Sequence, residues 1–302
     1  MNKKKIIIGS RGSKLAIKYA ELAIKEIKKY YSGKVELKKI VTKGDKILNC
    51  RTSEIGGKGE FIKNIEKELI LKKIDIAVHS LKDMPYQETP GLVISAFLKR
   101  NPPNEVMISK DNLSFEKLKK NSVIGTSSFR REFQLKLLRP DLRFKLIRGN
   151  IDSRIKKMFK KKYDAIVLAK AGLKFLKLSN LITQEFDCNK IIPSAGQGII
   201  SLQARKNDIR INKILKKINH KDTSIRAIAE RKVLKVLKGD CSTAVGIYST
   251  IRKKKLVLKA ELFSIDGKIR YYCKHTDKLN QAINIGNIVG KYLRKKSKVK
   301  YR

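Results

Sequence analysis

Residues 77–85 read Ala77-Val78-His79-Ser80-Leu81-Lys82-Asp83-Met84-Pro85, a carboxylate beside a lysine directly after a short apolar run. Ile74, Ile76, Ala77 and Val78 have the apolar density of a buried strand, and Pro85 stops regular structure two residues beyond Asp83. This pattern predicts Asp83 in the loop at the C-terminal end of a strand, where open α/β sheets bind ligands. A carboxylate so placed can stabilise positive charge or move a proton, or it can simply make a turn. Three other stretches supply cations and small polar groups: Gly9-Ser10-Arg11-Gly12-Ser13, Gly125-Thr126-Ser127-Ser128 with Arg130 and Arg131, and Arg148-Gly149-Asn150 with Arg154. Each falls where a strand gives way to a helix, so backbone N–H groups and the positive helix end favour an anion there. Gly and Ser also occur in such turns for geometry alone, so the recurrence says more than any single turn. Arginine holds a carboxylate in a two-pronged fork, whereas the surface charge of this chain is largely lysine. Lys58, in Gly56-Gly57-Lys58-Gly59, lies in a loop whose glycines allow close approach to a ligand. Cys241, in Gly239-Asp240-Cys241-Ser242, sits in a loop among cations; inert packing is the common role of an isolated cysteine, and a reactive thiolate is the other reading.

The elements that position these groups follow from periodicity. Strands are expected over 5–8, 34–41, 74–78 and 92–98. Helices with apolar faces (Leu15, Tyr19, Leu22, Ala23 and Ile27; then Phe61, Ile62, Ile65, Leu69 and Ile70) lie between them, with Ser13 as an N-cap. This alternation predicts a mainly parallel sheet. Lys99-Arg100-Asn101-Pro102-Pro103 marks a crossing, after which strands over 123–124, 144–147 and 164–169 repeat the pattern, and 193–198 crosses back into 199–205. Two crossings make a hinge between two lobes facing one cleft. From Asp222 the pattern changes to a helix ending at Gly239, strands over 245–249, 255–262 and 268–274, the last two joined at Asp266-Gly267, and a helix over 279–293. The expected units are 1–98 with 199–218, then 99–198, then 219–302.

The chain has 302 residues, 41% of them hydrophobic and 33% charged, with 72 Lys and Arg and a net charge of +45. The balance is that of a folded protein with several cores. The positive charge is compatible with a polyanionic partner, but it is spread along the chain, tryptophan is absent, and no aromatic-interleaved basic patch indicates nucleic acid. Four scattered cysteines, no targeting segment and no run of membrane-spanning length predict a cytoplasmic protein with free thiols, and no metal-ligand spacing is present. The cleft is expected to take a polyanionic small molecule.

Taken together, the stretches around Arg11 and Ser13, Gly56 to Gly59, Val78 to Pro85, Gly125 to Arg131, Arg148 to Arg154, and Gly196-Gln197-Gly198 closely resemble the hydroxymethylbilane synthase (porphobilinogen deaminase) family, in order and spacing across nearly the whole chain. The resemblance implies an α/β fold with two lobes of the type II periplasmic-binding-protein kind and a third, small α+β domain. It implies a transferase of porphyrin and heme biosynthesis. In that reaction four porphobilinogen molecules are joined into the linear tetrapyrrole hydroxymethylbilane with loss of ammonia at each addition. It also implies a dipyrromethane cofactor, held by a thioether to a cysteine that matches Cys241, and a monomer needing neither nucleic acid nor membrane. Asp83 is then the catalytic residue. The residues matched to the carboxylates of substrate and cofactor are Arg11, Ser13, Lys58, Ser80, Lys82, Thr126, Ser127, Ser128, Arg130, Arg131, Arg148, Asn150 and Arg154. The chain departs from the family pattern at Phe175, where Arg is common, at Glu54, where Lys is common, and at Asp240, usually Gly. Lys174 and Lys58 are near enough to the first two in sequence to serve as substitutes. A non-enzymatic anion-binding protein of the same two-lobed shape would account for the turns and the hinge, but not for Asp83 beside Lys82, the third domain or Cys241.

Overall fold

The computed structural model describes residues 4–42, 59, 62–239, 243–298 and 301. β1 (Ile6–Arg11) runs through Ser13 into α1 (Lys14–Lys28); β2 (Val35–Ile40), α2 (Lys63–Ile70), β3 (Ile76–Ser80) and β4 (Leu92–Phe97) follow. As expected, the Ser13 hydroxyl caps α1 by accepting from the Ala16 N–H. After the first crossing come β5 (Glu105–Ser109), β6 (Val123–Gly125), α3 (Phe129–Leu138), β7 (Arg143–Lys145), α4 (Ile151–Lys157), β8 (Ala165–Ala169), α5 (Lys170–Phe175) and β9 (Gln184–Glu185). The return crossing leads to β10 (Ile200–Arg205) and α6 (Ile209–Ile218). The first sheet has the order β2-β1-β3-β10-β4 and the second β7-β6-β8-β5-β9. This is the expected pair of α/β lobes.

The parallel expectation needs one correction in each sheet. β10 runs antiparallel to both of its neighbours, β3 and β4, and β5 runs antiparallel to β8 and β9. In both cases the reversed strand is the first one after a crossing. It enters its sheet from the other lobe instead of returning through a helix, so the right-handed βαβ geometry that aligns its neighbours does not apply to it. The first lobe's core lies between its sheet and α1 and α6, with Ile6, Ile8, Ala23, Ile27, Leu202 and Leu215 fully buried.

The third unit packs α7 (Lys221–Leu237) and α8 (Ala282–Lys296) on an antiparallel sheet of β11 (Val245–Arg252), β12 (Lys255–Phe263) and β13 (Arg270–Lys278). Its core contains Val233, Leu237, Ile247, Leu258, Ile285 and Val289. α7 closes on Lys238 in the left-handed conformation, one residue before the glycine where the sequence predicts the end. The third unit is fastened to the crossings by one buried carboxylate. Glu230 on α7 accepts from Arg100 on the first crossing (2.6 and 3.3 Å), from the Gly196 N–H on the return crossing (2.7 Å), and from the Ser249 N–H and hydroxyl (2.9 and 2.7 Å).

The two crossings also hold each other. Leu98 N–H donates to Ile200 and Asn101 N–H to Gly198, at 3.0 and 2.8 Å. Gly198 has φ +81°, and a Cβ there would stand 2.4 Å from the Asn101 carbonyl oxygen. Gly198→Ala is therefore expected to cost about 2 kcal/mol through backbone strain and separation of the crossings. A denaturant midpoint equal to that of the wild type would contradict this.

Candidate active site

The C-terminal ends of β1 and β3, the first turns of α1, α3 and α4, and residues of the third unit enclose a cavity of about 430 Å³. β3 continues past Ser80 into one 3₁₀ turn, Leu81–Asp83, which projects Lys82 and Asp83 into this cavity. The strand lies two residues later than the sequence predicts, and Asp83 is still at its C-terminal end. Within the described residues the Asp83 carboxylate makes no hydrogen bond or ion pair. A carboxylate on the wall of an arginine-bearing cleft with no partner among the described residues is an acceptor held ready for a ligand.

The cations around it come from both lobes. Arg11 and Lys82 reach the wall from the first, and Arg130, Arg131, Arg148 and Arg154 from the second. Ser13, Ser80, Ser127, Ser128 and Asn150 also line it. Ser128 caps α3 and Asn150 stands at the N-cap of α4, so both helices point their positive ends inward. Burial and the neighbouring Arg131 and Arg148 guanidinia lower the Arg154 pKa to about 10, with Asp83 opposing the shift. Burial likewise lowers Lys82 to about 8, against the pull of Asp83 and with the push of Arg131. Cations are thus crowded and partly desolvated here, an arrangement that an entering carboxylate would relieve.

Several sequence-predicted residues fall elsewhere. Thr126 is not on the wall: it is buried, and its hydroxyl accepts from the Ser128 N–H, so its part is to shape the turn. Lys58 and Cys241, like Glu54 and Asp240, lie outside the described residues. Thr243, two residues past Cys241, is on the wall. Lys174 is exposed and off the cavity, so it does not stand in for a cation at position 175. Phe175 instead packs edge-to-face on Tyr19 of the first lobe, ring centres 4.9 Å apart.

Arg130 and Arg131 are less available than their spacing suggests. Both are buried against Glu105 of β5, with Arg130 Nη2 at 2.6 Å and Arg131 Nη2 at 2.7 Å from its two carboxylate oxygens. Their Nη1 groups donate to the carbonyls of Ile192 and Val167. Burial pushes the Glu105 pKa up, but Arg131 and Arg130 more than offset it, leaving it at about 2. The Arg131 Nε–H remains buried without an acceptor among the described residues. Gln197 on the return crossing donates to the same carboxylate at 3.0 Å. Glu105, Gln197 and Tyr19 are the site residues that sequence reading misses. Glu105 sits in an apolar strand far from its partners in sequence, and Tyr19 reads as one more apolar position of α1.

His79, under the same turn, is held neutral: burial lowers its pKa to about 4, and its Nε2 meets the Gln203 side-chain oxygen at 3.1 Å. Gln203 in turn donates to Glu66. This buried chain fixes the end of β3 from below.

Comparison with known proteins places the chain in a defined set of relatives. Residues 6–213 match the family model described as porphobilinogen deaminase, dipyromethane cofactor binding domain, and residues 224–295 match porphobilinogen deaminase, C-terminal domain. The porphobilinogen deaminase of Oceanobacillus iheyensis is 42% identical over 266 residues, covering 87% of this chain and 86% of that protein. That of Staphylococcus epidermidis is 39% identical over 295 residues, covering 97% and 95%. Among solved structures, the chain is similar to the Methionine Binding Protein, MetQ, at 13% identity and a TM-score of 0.46, covering 75% of this chain and 94% of that one.

Proposed function

The chain belongs to the porphobilinogen deaminase family, and from that premise we propose how its cleft carries out hydroxymethylbilane synthesis, the stepwise deaminating condensation of four porphobilinogen molecules. The observation that carries the reading is the Asp83 carboxylate, without a hydrogen-bond or ion-pair partner among the described residues, in a cavity lined by Arg11, Lys82, Arg130, Arg131, Arg148 and Arg154 together with apolar side chains. A porphobilinogen unit has acetate and propionate carboxylates for the cations and a pyrrole N–H for the carboxylate, so one molecule satisfies both kinds of group.

Asp83 accepts the pyrrole N–H and stabilises the positive charge that develops as the substrate's amine departs. The same carboxyl group can carry a proton between the attacked carbon and the leaving amine. Arg11, Lys82, Arg148 and Arg154 seat carboxylates, and Ser13, Ser80, Ser127, Ser128 and Asn150 orient them by hydrogen bonds. Arg131 contributes its unpaired Nε–H, while Arg130 and the rest of Arg131 form the charged floor that Glu105 holds in place.

Dipyrromethane is the cofactor of this family's matched domain. The residues present fit it: Arg131, whose buried Nε–H has no acceptor among the described residues, and Asp83, whose carboxylate has no donor among them, both line one cavity. When bound, it supplies the pyrrole end to which substrate units are added. We assign its thioether anchor to Cys241, because Leu234, Thr243 and Val245 on either side of that position line the cavity. Lys58 is assigned to the carboxylate-binding set by its place in the glycine-rich loop.

The unit boundaries 1–98 with 199–218, 99–198 and 219–302 belong to the same proposal, supported by the sheets and by the paired crossings. So do a monomeric state, for which the cavity walled by one chain speaks, and a cytoplasmic location without nucleic-acid or membrane partners. Among the described residues no helix is long and apolar enough to cross a membrane.

The test is a mass measurement followed by peptide mapping. The intact protein is expected to carry an addition equal to two linked pyrroles, located on the peptide containing Cys241, and to convert porphobilinogen to hydroxymethylbilane. Absence of the addition both before and after incubation with porphobilinogen, with no turnover, would leave an anion-binding relative.

A further inference from the structure

Tyr19 occupies the second turn of α1, on the same face as Leu15 and Ala16, and all three line the cavity. Its side chain is more than nine-tenths buried, with 8% relative exposure, yet its hydroxyl has no hydrogen-bond partner among the described residues. Buried tyrosines ordinarily find one. The ring cannot turn away to find it, because Phe175 from the opposite lobe packs edge-to-face against it and both sit on the first lobe's core. Asp83 is close enough to be felt by the phenol, and burial and that carboxylate together keep the hydroxyl protonated. No hydrogen bond joins the two groups. Tyr19 thus brings to the wall of the cavity a fixed, neutral O–H that no described residue accepts from, within the electrostatic reach of Asp83.

We propose that the Tyr19 hydroxyl is a substrate-binding group of this enzyme, donating a hydrogen bond to a carboxylate of the porphobilinogen unit bound beside Asp83. The inference rests on the porphobilinogen reading above. Of the groups on that substrate, the pyrrole N–H is better matched to Asp83, since an anionic acceptor outcompetes a phenol oxygen. The carboxylates are the strongest acceptors left for a donor. Phe175 acts through Tyr19 as a positioning residue. It places an aromatic edge where it fixes the phenol, so this part of the wall recognises carboxylate by a neutral hydrogen bond and not by charge.

Tyr19→Phe removes the hydroxyl and keeps the ring contact. The variant is expected to keep the thermal midpoint of the wild type, to raise the KM for porphobilinogen about tenfold, and to change kcat much less, as loss of one hydrogen bond to a charged group predicts. Two substrate analogues, with a methyl group in place of the acetate or of the propionate carboxylate, locate the partner. With one of them wild type and Tyr19→Phe should have equal KM values. A KM for porphobilinogen within twofold of wild type overturns the inference, and so does a KM penalty that persists with both analogues. A wild-type protein that does not turn over porphobilinogen overturns the functional reading and this inference with it, whereas an active wild type with an unaffected variant overturns the inference alone.

Discussion

Asp83→Asn is expected to lower kcat by about 10²–10³-fold while leaving the fold and the cofactor addition in place. The size follows from what the substitution removes. Asparagine keeps the shape of the side chain and one acceptor oxygen, but not the negative charge that opposes the cation formed when the amine leaves. The selectivity of the effect follows from the structure. Because the Asp83 carboxylate holds no hydrogen bond or ion pair within the described residues, no structural contact is lost with it. Global stability should then fall by no more than about 1–2 kcal/mol, the share of Asp83 in offsetting the charge of Lys82 and Arg154. Turnover measured by colour formation from the pyrrole product, with intact mass and a denaturation curve on the same sample, reads all three. Activity within threefold of wild type would remove Asp83 from the centre of the mechanism, and loss of the cofactor addition would assign it to cofactor assembly.

Glu105→Gln is expected to cost about 3–5 kcal/mol of stability. Its carboxylate is fully buried and meets Arg130 and Arg131 at 2.6 and 2.7 Å, with Gln197 as a third donor at 3.0 Å. An amide in its place turns an N–H₂ group toward a guanidinium and leaves two cations buried together. The crossing loosens through Gln197 and the second lobe through α3, so activity should fall with stability. The pH dependence has a definite sign. The folded Glu105 pKa is depressed from 4.5 to about 2, so the stability it contributes is present above about 4.5 and is lost as pH falls from there toward 2. Wild type should therefore lose stability steeply across that interval, and Glu105→Gln should show a shallower fall from a lower starting value. Parallel curves for the two proteins would contradict the assignment of this carboxylate as the anchor of the arginine pair.

Much of the site is local and was legible as such. Ser13 and Ser128 read as small polar residues ahead of apolar-faced helices, and both are N-caps. Asp83 reads as a strand-end carboxylate because an apolar run and a proline bracket it, and the turn of residues 81–83 puts it there. The third unit was legible in the change from α/β alternation to hairpins, down to the turn at Asp266-Gly267, where Gly267 has φ +74°. Strand ends were less so: β7 lies at Arg143–Lys145, a residue or two before the predicted segment, since a three-residue strand is placed by its neighbours and not by its own pattern.

The sequence by itself determined the strand–turn–helix units, their helix caps, the cationic turns and the family they match, because each is encoded within a few consecutive residues. Tertiary structure alone decided that two of those cations are committed to a buried carboxylate. Arg130 and Arg131 look like a ligand-binding pair from spacing, yet a carboxylate 25 residues earlier, on the strand that enters the second sheet in reverse, occupies them. Tyr19 and Phe175 look like two separate core positions, and the packing of the lobes makes them one contact at the wall of the cavity that Asp83 also lines. Charge pairing and lobe packing act through space over separations that leave no periodic trace in the chain, so burial and distance had to be seen before availability could be assigned.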